Sequence, residues 1–130
     1  HRHLDGVENA HLIPPLNVEE MHNLMARCYM VMTDSGGLQE EAPALGRPVL
    51  VLRRETERPE AVKAGTVRLA GTEAQAVYAQ AARLLTDPAA YAQMAQAVNP
   101  YGDGQACRRI VDGILWHYSL RETPPDAFSV

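Results

Sequence analysis

The sequence predicts an α/β fold in which a parallel sheet is covered by helices. Three observations predict it. Strand-like and helix-like patterns alternate along most of the chain, the order that builds parallel sheets with crossover helices. The two strongest strand runs, residues 29–33 and 48–52, are continuously apolar, as expected where both faces of a sheet are covered. The composition, 46% hydrophobic and 22% charged over 130 residues, suits one globular domain with a modest core.

The elements follow in order. Ala10-His11-Leu12-Ile13 is a short strand candidate, ended by Pro14 and Pro15. Asn17 is placed to cap a helix over 18–28, whose apolar Val18, Met21, Leu24, Met25 and Cys28 recur at helical spacing. Strand 29–33 comes next, then a helix over 37–45 closed by Gly46. Residues 48–52 form the second buried strand and 66–70 the third. Thr72 and Gln75 have the spacing of a capping box ahead of a helix reaching residue 85. Asp87-Pro88 opens another helix, to residue 98. A last helix spans 105–118, with Ile110, Ile114, Leu115 and Tyr118 along one side. The tail from Glu122 is proline-rich and expected to fray. A doubly wound domain usually opens with a strand and a helix that the sequence does not spell, so the domain is expected to be truncated at its N-terminus.

Charge and composition exclude several function classes. A net charge of −4 argues against a nucleic-acid partner, which needs cationic neutralisation of phosphates. It leaves room for a small anionic ligand served by a few local arginines. No apolar run approaches the ~18 to 20 residues of a membrane span, and no secretory leader opens the sequence. Cys28 and Cys107 lack paired metal spacing and read as reduced thiols of a cytoplasmic protein. The five histidines form no cluster, and each reads as structural or exposed. Met21, Met25, Met30 and Met32 read as core. No metal and no cofactor is expected.

The stretch Thr33-Asp34-Ser35-Gly36-Gly37-Leu38-Gln39-Glu40-Glu41 carries the chemistry. A buried strand ends, two glycines turn the chain and a helix begins. Glycines let backbone N–H groups approach an anion, and the opening amides of a helix have no internal partners. The macrodipole adds about half a positive charge there, so a phosphate is favoured, with the Ser35 hydroxyl as a further donor. The alternative is a plain strand-to-helix turn with Ser35 as N-cap. Glu41 lies one helical turn after Gly37 and can accept two hydrogen bonds from a ribose diol. Its alternative is a first-turn acid that complements the dipole, a role that suits Glu40 better; Glu41 is therefore taken as ligand-facing and Glu40 as solvated.

The second cluster is Arg53-Arg54-Glu55-Thr56-Glu57-Arg58-Pro59-Glu60. Loops at the carboxyl ends of neighbouring parallel strands line one crevice, so it should face the same opening as the glycine turn. Arg58 offers a rigid, charged fork for phosphate oxygens. Glu57 and Glu60 either tether that arginine or take part in chemistry, and a solvated mixed-charge loop is the alternative for the whole cluster.

The segments 34–43, 46–53, 56–66 and 99–106 together resemble the UDP-N-acetylglucosamine 2-epimerases, in particular the non-hydrolysing ones, over roughly residues 7–118. The resemblance implies a Rossmann-like C-terminal half of a two-domain glycosyltransferase-B fold, with residues 1–118 the UDP-binding part and 119–130 a tail. It implies that Ser35, Gly36 and Gly37 contact the diphosphate, Glu41 the ribose and Arg58 the nucleotide. The implied reaction inverts C2 of the sugar, interconverting UDP-N-acetylglucosamine and UDP-N-acetylmannosamine by elimination of UDP and its re-addition. The family's acid/base carboxylates lie in an N-terminal domain not matched here, so this chain alone is expected to be inactive. Arg54 stands where the family commonly has an acid. Leu16 and Met21 occupy the region of its base contacts. The alternatives are a nucleotide-sugar glycosyltransferase of the same fold and a non-catalytic UDP-binding remnant. Expected partners are UDP-N-acetylglucosamine or UDP and, for assembly, a homodimer; no nucleic acid and no membrane are expected.

Overall fold

Residues 3–128 are described by the structure, a computed structural model. Three short strands, β1 Val31–Thr33, β2 Val49–Val51 and β3 Val67–Leu69, form one parallel sheet in the order β1-β2-β3. Val31, Val49 and Val67 stand in register across it. Side chains alternate faces along a strand, so Val49 and Val51 point to one side and Leu50 to the other. All three are fully buried. On the first side they pack with Met25, Ala42, Ala61 and Val67, beneath α1 Val18–Arg27, α2 Gly36–Ala44 and α3 Pro59–Ala64. On the second, Leu50 packs with Ala70, Leu84 and Met94, beneath α4 Ala74–Thr86 and α5 Pro88–Ala95. Each fully buried valine or leucine contributes roughly 1.5–3 kcal/mol over its exposed state. α6 Ala106–His117 closes the order.

Local chemistry sets the ends of these helices. Asn17 Oδ1 accepts from the Glu20 N–H at 2.9 Å and Glu20 Oε2 accepts from the Asn17 N–H at 3.0 Å, a complete capping box on α1. Asp87 Oδ1 accepts from the N–H groups of Ala89 and Ala90, both at 3.0 Å, and Pro88 takes the first helical position of α5. Gly46 and Gly65 turn the chain out of α2 and α3 with φ of 68° and 83°, angles that few other residues adopt. The Tyr29 hydroxyl donates to the Leu84 carbonyl and the Tyr91 hydroxyl to the Tyr29 carbonyl, both at 2.9 Å, tying α4 and α5 to the approach of β1.

Several expectations are corrected. Residues 10–13 form no strand: Leu12 and Ile13 are exposed, and no neighbouring strand supplies ladder partners. The run 29–33 is not buried throughout: Tyr29 and Met32 are exposed, Met32 outside the core assigned to it. Thr72 and Gln75 form no capping box; α4 starts at Ala74 with Glu73 as N-cap, and the Thr72 hydroxyl instead accepts from Arg54 Nε at 3.4 Å. α5 ends at Ala95, three residues short of the expected 98. α3 is a helix where only a charged loop was expected, its start set by Pro59 and its end by Gly65. The apolar side of α6 is uncovered, with Ile110, Ile114 and Tyr118 exposed. Residues 123–128 are irregular yet held to α6: Arg108 pairs with Asp126 at 3.9 Å, and the Arg109 guanidinium lies 5.6 Å from the Phe128 ring centre.

Candidate functional site

The β1–α2 turn is built by its own side chains. Thr33 Oγ1 accepts from the Ser35 N–H at 3.0 Å, which bends the chain as β1 ends. Ser35 is the N-cap of α2 by backbone, extended at φ −77° and ψ 132°, but its hydroxyl makes no capping bond. Ser35 is thus the N-cap that the plain-turn alternative expected, but its side chain supplies no acceptor to the opening amides of α2. An oxyanion of the chain itself lies against this corner. Glu57 Oε1 is 2.6 Å from where a Cβ on Gly36 would stand, and Glu57 Oε2 accepts from Arg53 Nη1 at 2.9 Å. Its own backbone N–H first, and the Arg53 and Arg58 guanidiniums after it, hold the Glu57 carboxyl below the usual carboxylate range against desolvation.

Arg58 faces the same corner, its Nη2 3.9 Å from that Gly36 position. Its Nε donates to Glu40 Oε1 in an ion pair that raises the guanidinium above its ordinary value, the hydrogen bond to Glu40 being the main cause. Glu40 is thus not the solvated acid expected. Neither Glu40 nor Glu41 lies in the first turn of α2, so a dipole role fits neither; the effect fades beyond that turn.

A buried relay joins the two loops. Gln39 is completely buried; its Nε2 donates to the Ser35 carbonyl at 3.2 Å and its Oε1 accepts from Thr56 Oγ1 at 2.6 Å. Thr56 Oγ1 in turn accepts from the Arg58 N–H at 3.1 Å. The relay sets the glycine turn and the Arg58 loop at a fixed spacing. Sequence reasoning missed it, although Gln39 shares a helix face with Ala42 and Pro43, and a polar residue on such a face needs a buried partner.

Glu41 projects from the next turn of α2. His22, exposed as expected, reaches it from α1, with Nε2 and Glu41 Oε2 3.0 Å apart. With Ala44 and Leu45 they line a cavity of about 210 Å³. Glu60 sits in the first turn of α3 and pairs with none of the described arginines. Tyr101 packs against the core below α3, its hydroxyl buried and without a hydrogen-bond partner among the described residues. Burial first, and then Glu60, push its phenol above the usual value. Asp103 accepts from both terminal nitrogens of Arg109 at 2.7 Å, which holds its carboxyl well below the usual range and stiffens the loop before α6.

Ser35, Gly36, Gly37 and Arg58 therefore meet at one corner, with Glu41 one turn along α2. A larger cavity of about 570 Å³ lies elsewhere, lined by Met32, Leu52, Val77, Tyr78 and their neighbours without a charged group. Among the described residues, no three His, Cys, Asp or Glu side chains cluster to hold a metal ion, and no helix is long and apolar enough to cross a membrane.

Comparison with known proteins adds an independent line. The family model described as UDP-N-acetylglucosamine 2-epimerase matches residues 1–115. The UDP-N-acetylglucosamine 2-epimerase of Bacillus subtilis (strain 168) is 55% identical over 129 residues, covering 99% of this chain and 34% of the relative. A crystal structure of UDP-N-acetylglucosamine 2-epimerase superposes with a TM-score of 0.96 at 55% identity, covering 100% of this chain and 35% of the other. The Neisseria meningitidis UDP-GlcNAc 2-epimerase, solved bound to UDP-GlcNAc, superposes at 0.83 with 49% identity, covering 87% and 31%. The chain spans about a third of the length of the relatives it matches.

Proposed function

The chain belongs to the UDP-N-acetylglucosamine 2-epimerase family, and from that premise we propose that it holds the UDP of a nucleotide sugar at the β1–α2 turn. The observation that carries the proposal is the corner itself. An oxyanion, the Glu57 carboxylate, already rests over Gly36 between Arg53 and Arg58. A diphosphate would exchange with that carboxylate, meeting the same guanidiniums, the amides of Gly36 and Gly37, and the Ser35 hydroxyl. Glu41, one turn on, would accept from the ribose hydroxyls. A relative solved bound to UDP-GlcNAc supports this ligand class.

In the whole enzyme, the proposed reaction inverts C2 of the sugar. UDP leaves C1 as a proton leaves C2, and the glycal so formed takes a proton on its other face as UDP adds back. This chain's residues would hold the departing UDP in place for its return, an advantage of proximity. Glu40, Glu41 and Glu57 are each engaged by an arginine or a histidine, and the resemblance puts the acid and base that act at C2 in a domain this chain does not match, so the 130 residues alone are proposed to bind without turnover. Residues 1–118 are the proposed UDP-binding unit and 119–130 its tail. A cytoplasmic setting, supported by the free thiols of Cys28 and Cys107, belongs to the same proposal. So does a homodimer, supported by the exposed apolar side of α6.

Calorimetric titration with UDP tests the binding reading. Saturable binding is expected, weakened by about ten- to a hundredfold in Glu41→Gln, the loss of a hydrogen bond or two to a charged acceptor. Arg58→Lys should weaken it too, since an ammonium does not reproduce the fork. Equal affinity in wild type and Glu41→Gln contradicts the proposal.

A further inference from the structure

Glu41 uses its two carboxylate oxygens differently. Oε2 is engaged with His22 Nε2 at 3.0 Å. Oε1 is directed to the glycine turn, 3.5 Å from where a Cβ on Gly37 would stand, a point 3.9 Å from Ser35 Oγ. A carboxylate can only accept, so the bonded Nε2 carries the proton. The contact crosses from α1 to α2, and both side chains stay about half exposed, at 48% and 47%. Neither is buried for the sake of the core. A glutamate on an open helix face would otherwise sample many rotamers, and a ligand would have to order it at the cost of binding free energy.

We propose that His22 is a positioning residue for ribose recognition: its Nε2–H holds Glu41 in the rotamer that presents Oε1 to the nucleotide at the β1–α2 turn, and so sets a preference for ribonucleotide over deoxyribonucleotide. The inference rests on the ribose role of Glu41 proposed above and goes one step further, to the group that prepares it. Oε2 has a second lone pair, so the imidazole does not close it to the other hydroxyl of the diol. The cavity of about 210 Å³ that His22 and Glu41 share with Ala44 and Leu45 leaves space beside the pair. Were the contact only a tie between α1 and α2, its loss would lower stability and weaken all nucleotides alike.

The test is a calorimetric comparison of UDP with 2′-deoxyuridine 5′-diphosphate on wild type, His22→Ala and His22→Gln. Wild type should favour UDP by about tenfold, the size of one charge-assisted hydrogen bond. His22→Ala should lose most of that preference by weakening UDP, with the deoxy analogue nearly unchanged. His22→Gln, whose amide can donate to the same oxygen, should restore most of it. A preference that survives in His22→Ala, an equal loss for both ligands, or a His22→Gln that behaves as alanine overturns the role of His22 and leaves the reading of Glu41 intact. A wild type that does not distinguish the two nucleotides overturns both.

Discussion

A methyl group on Gly36 would meet the Glu57 carboxylate at 2.6 Å. That contact is with the end of an exposed, flexible side chain, so the carboxylate can swing aside and the fold need not change. Alanine at an early helix position is also favoured over glycine by up to about 1 kcal/mol. Gly36→Ala is therefore predicted to keep or raise the melting temperature while weakening UDP by about tenfold or more, because the methyl would stand where the proposed site brings phosphate oxygens to the amides. Thermal melts beside calorimetry check this, and undiminished affinity would contradict it. At this scale the sequence was legible for positions that local structure sets. Ser35, Gly36 and Gly37 are contiguous and Glu41 follows one helical turn later, so one strand-to-helix transition places them. Gln39, Glu40 and His22 were misread or missed because their partners Thr56, Arg58 and Glu41 lie 17, 18 and 19 residues away, a distance that no helical period reveals.

Helix starts show the same division between local and distant causes. Asp87 caps α5 through two amides, as Asp followed by Pro implies, whereas Thr72 looks like the first residue of a capping box and caps nothing. Asp87→Ala is predicted to cost about 1 kcal/mol, within the usual 0.5–2 kcal/mol of a lost N-cap, and Thr72→Ala close to nothing. Chemical denaturation of the two variants checks the contrast; a Thr72→Ala loss as large as that of Asp87→Ala would contradict it. Thr72 was misread because Arg54, from the loop after β2, competes for its hydroxyl. α3 was missed because its six residues sit in a run of charges with too few apolar positions to show a period. Pro43 lies in the last turn of α2, so the bond it forfeits is near the end that Ala44 would bring anyway.

For the whole molecule, the apolar runs and their alternation with helices were enough to specify a parallel sheet flanked by helices. They did not specify that, of the three described strands, only β2 is fully buried, since an apolar strand reads alike at the centre and at the edge of a sheet. Nor did the stripe on α6 indicate whether anything covers it, because helical period reports a face and not its neighbour. What the fold does place together is one corner, reached from β1, α2 and the loop after β2, where an anion is favoured. The most direct test is a crystal structure of the protein with UDP. Diphosphate oxygens are expected on the amides of Gly36 and Gly37, the ribose against Glu41, and the Glu57 carboxylate turned away. UDP bound elsewhere, with Glu57 still seated over Gly36, would contradict it.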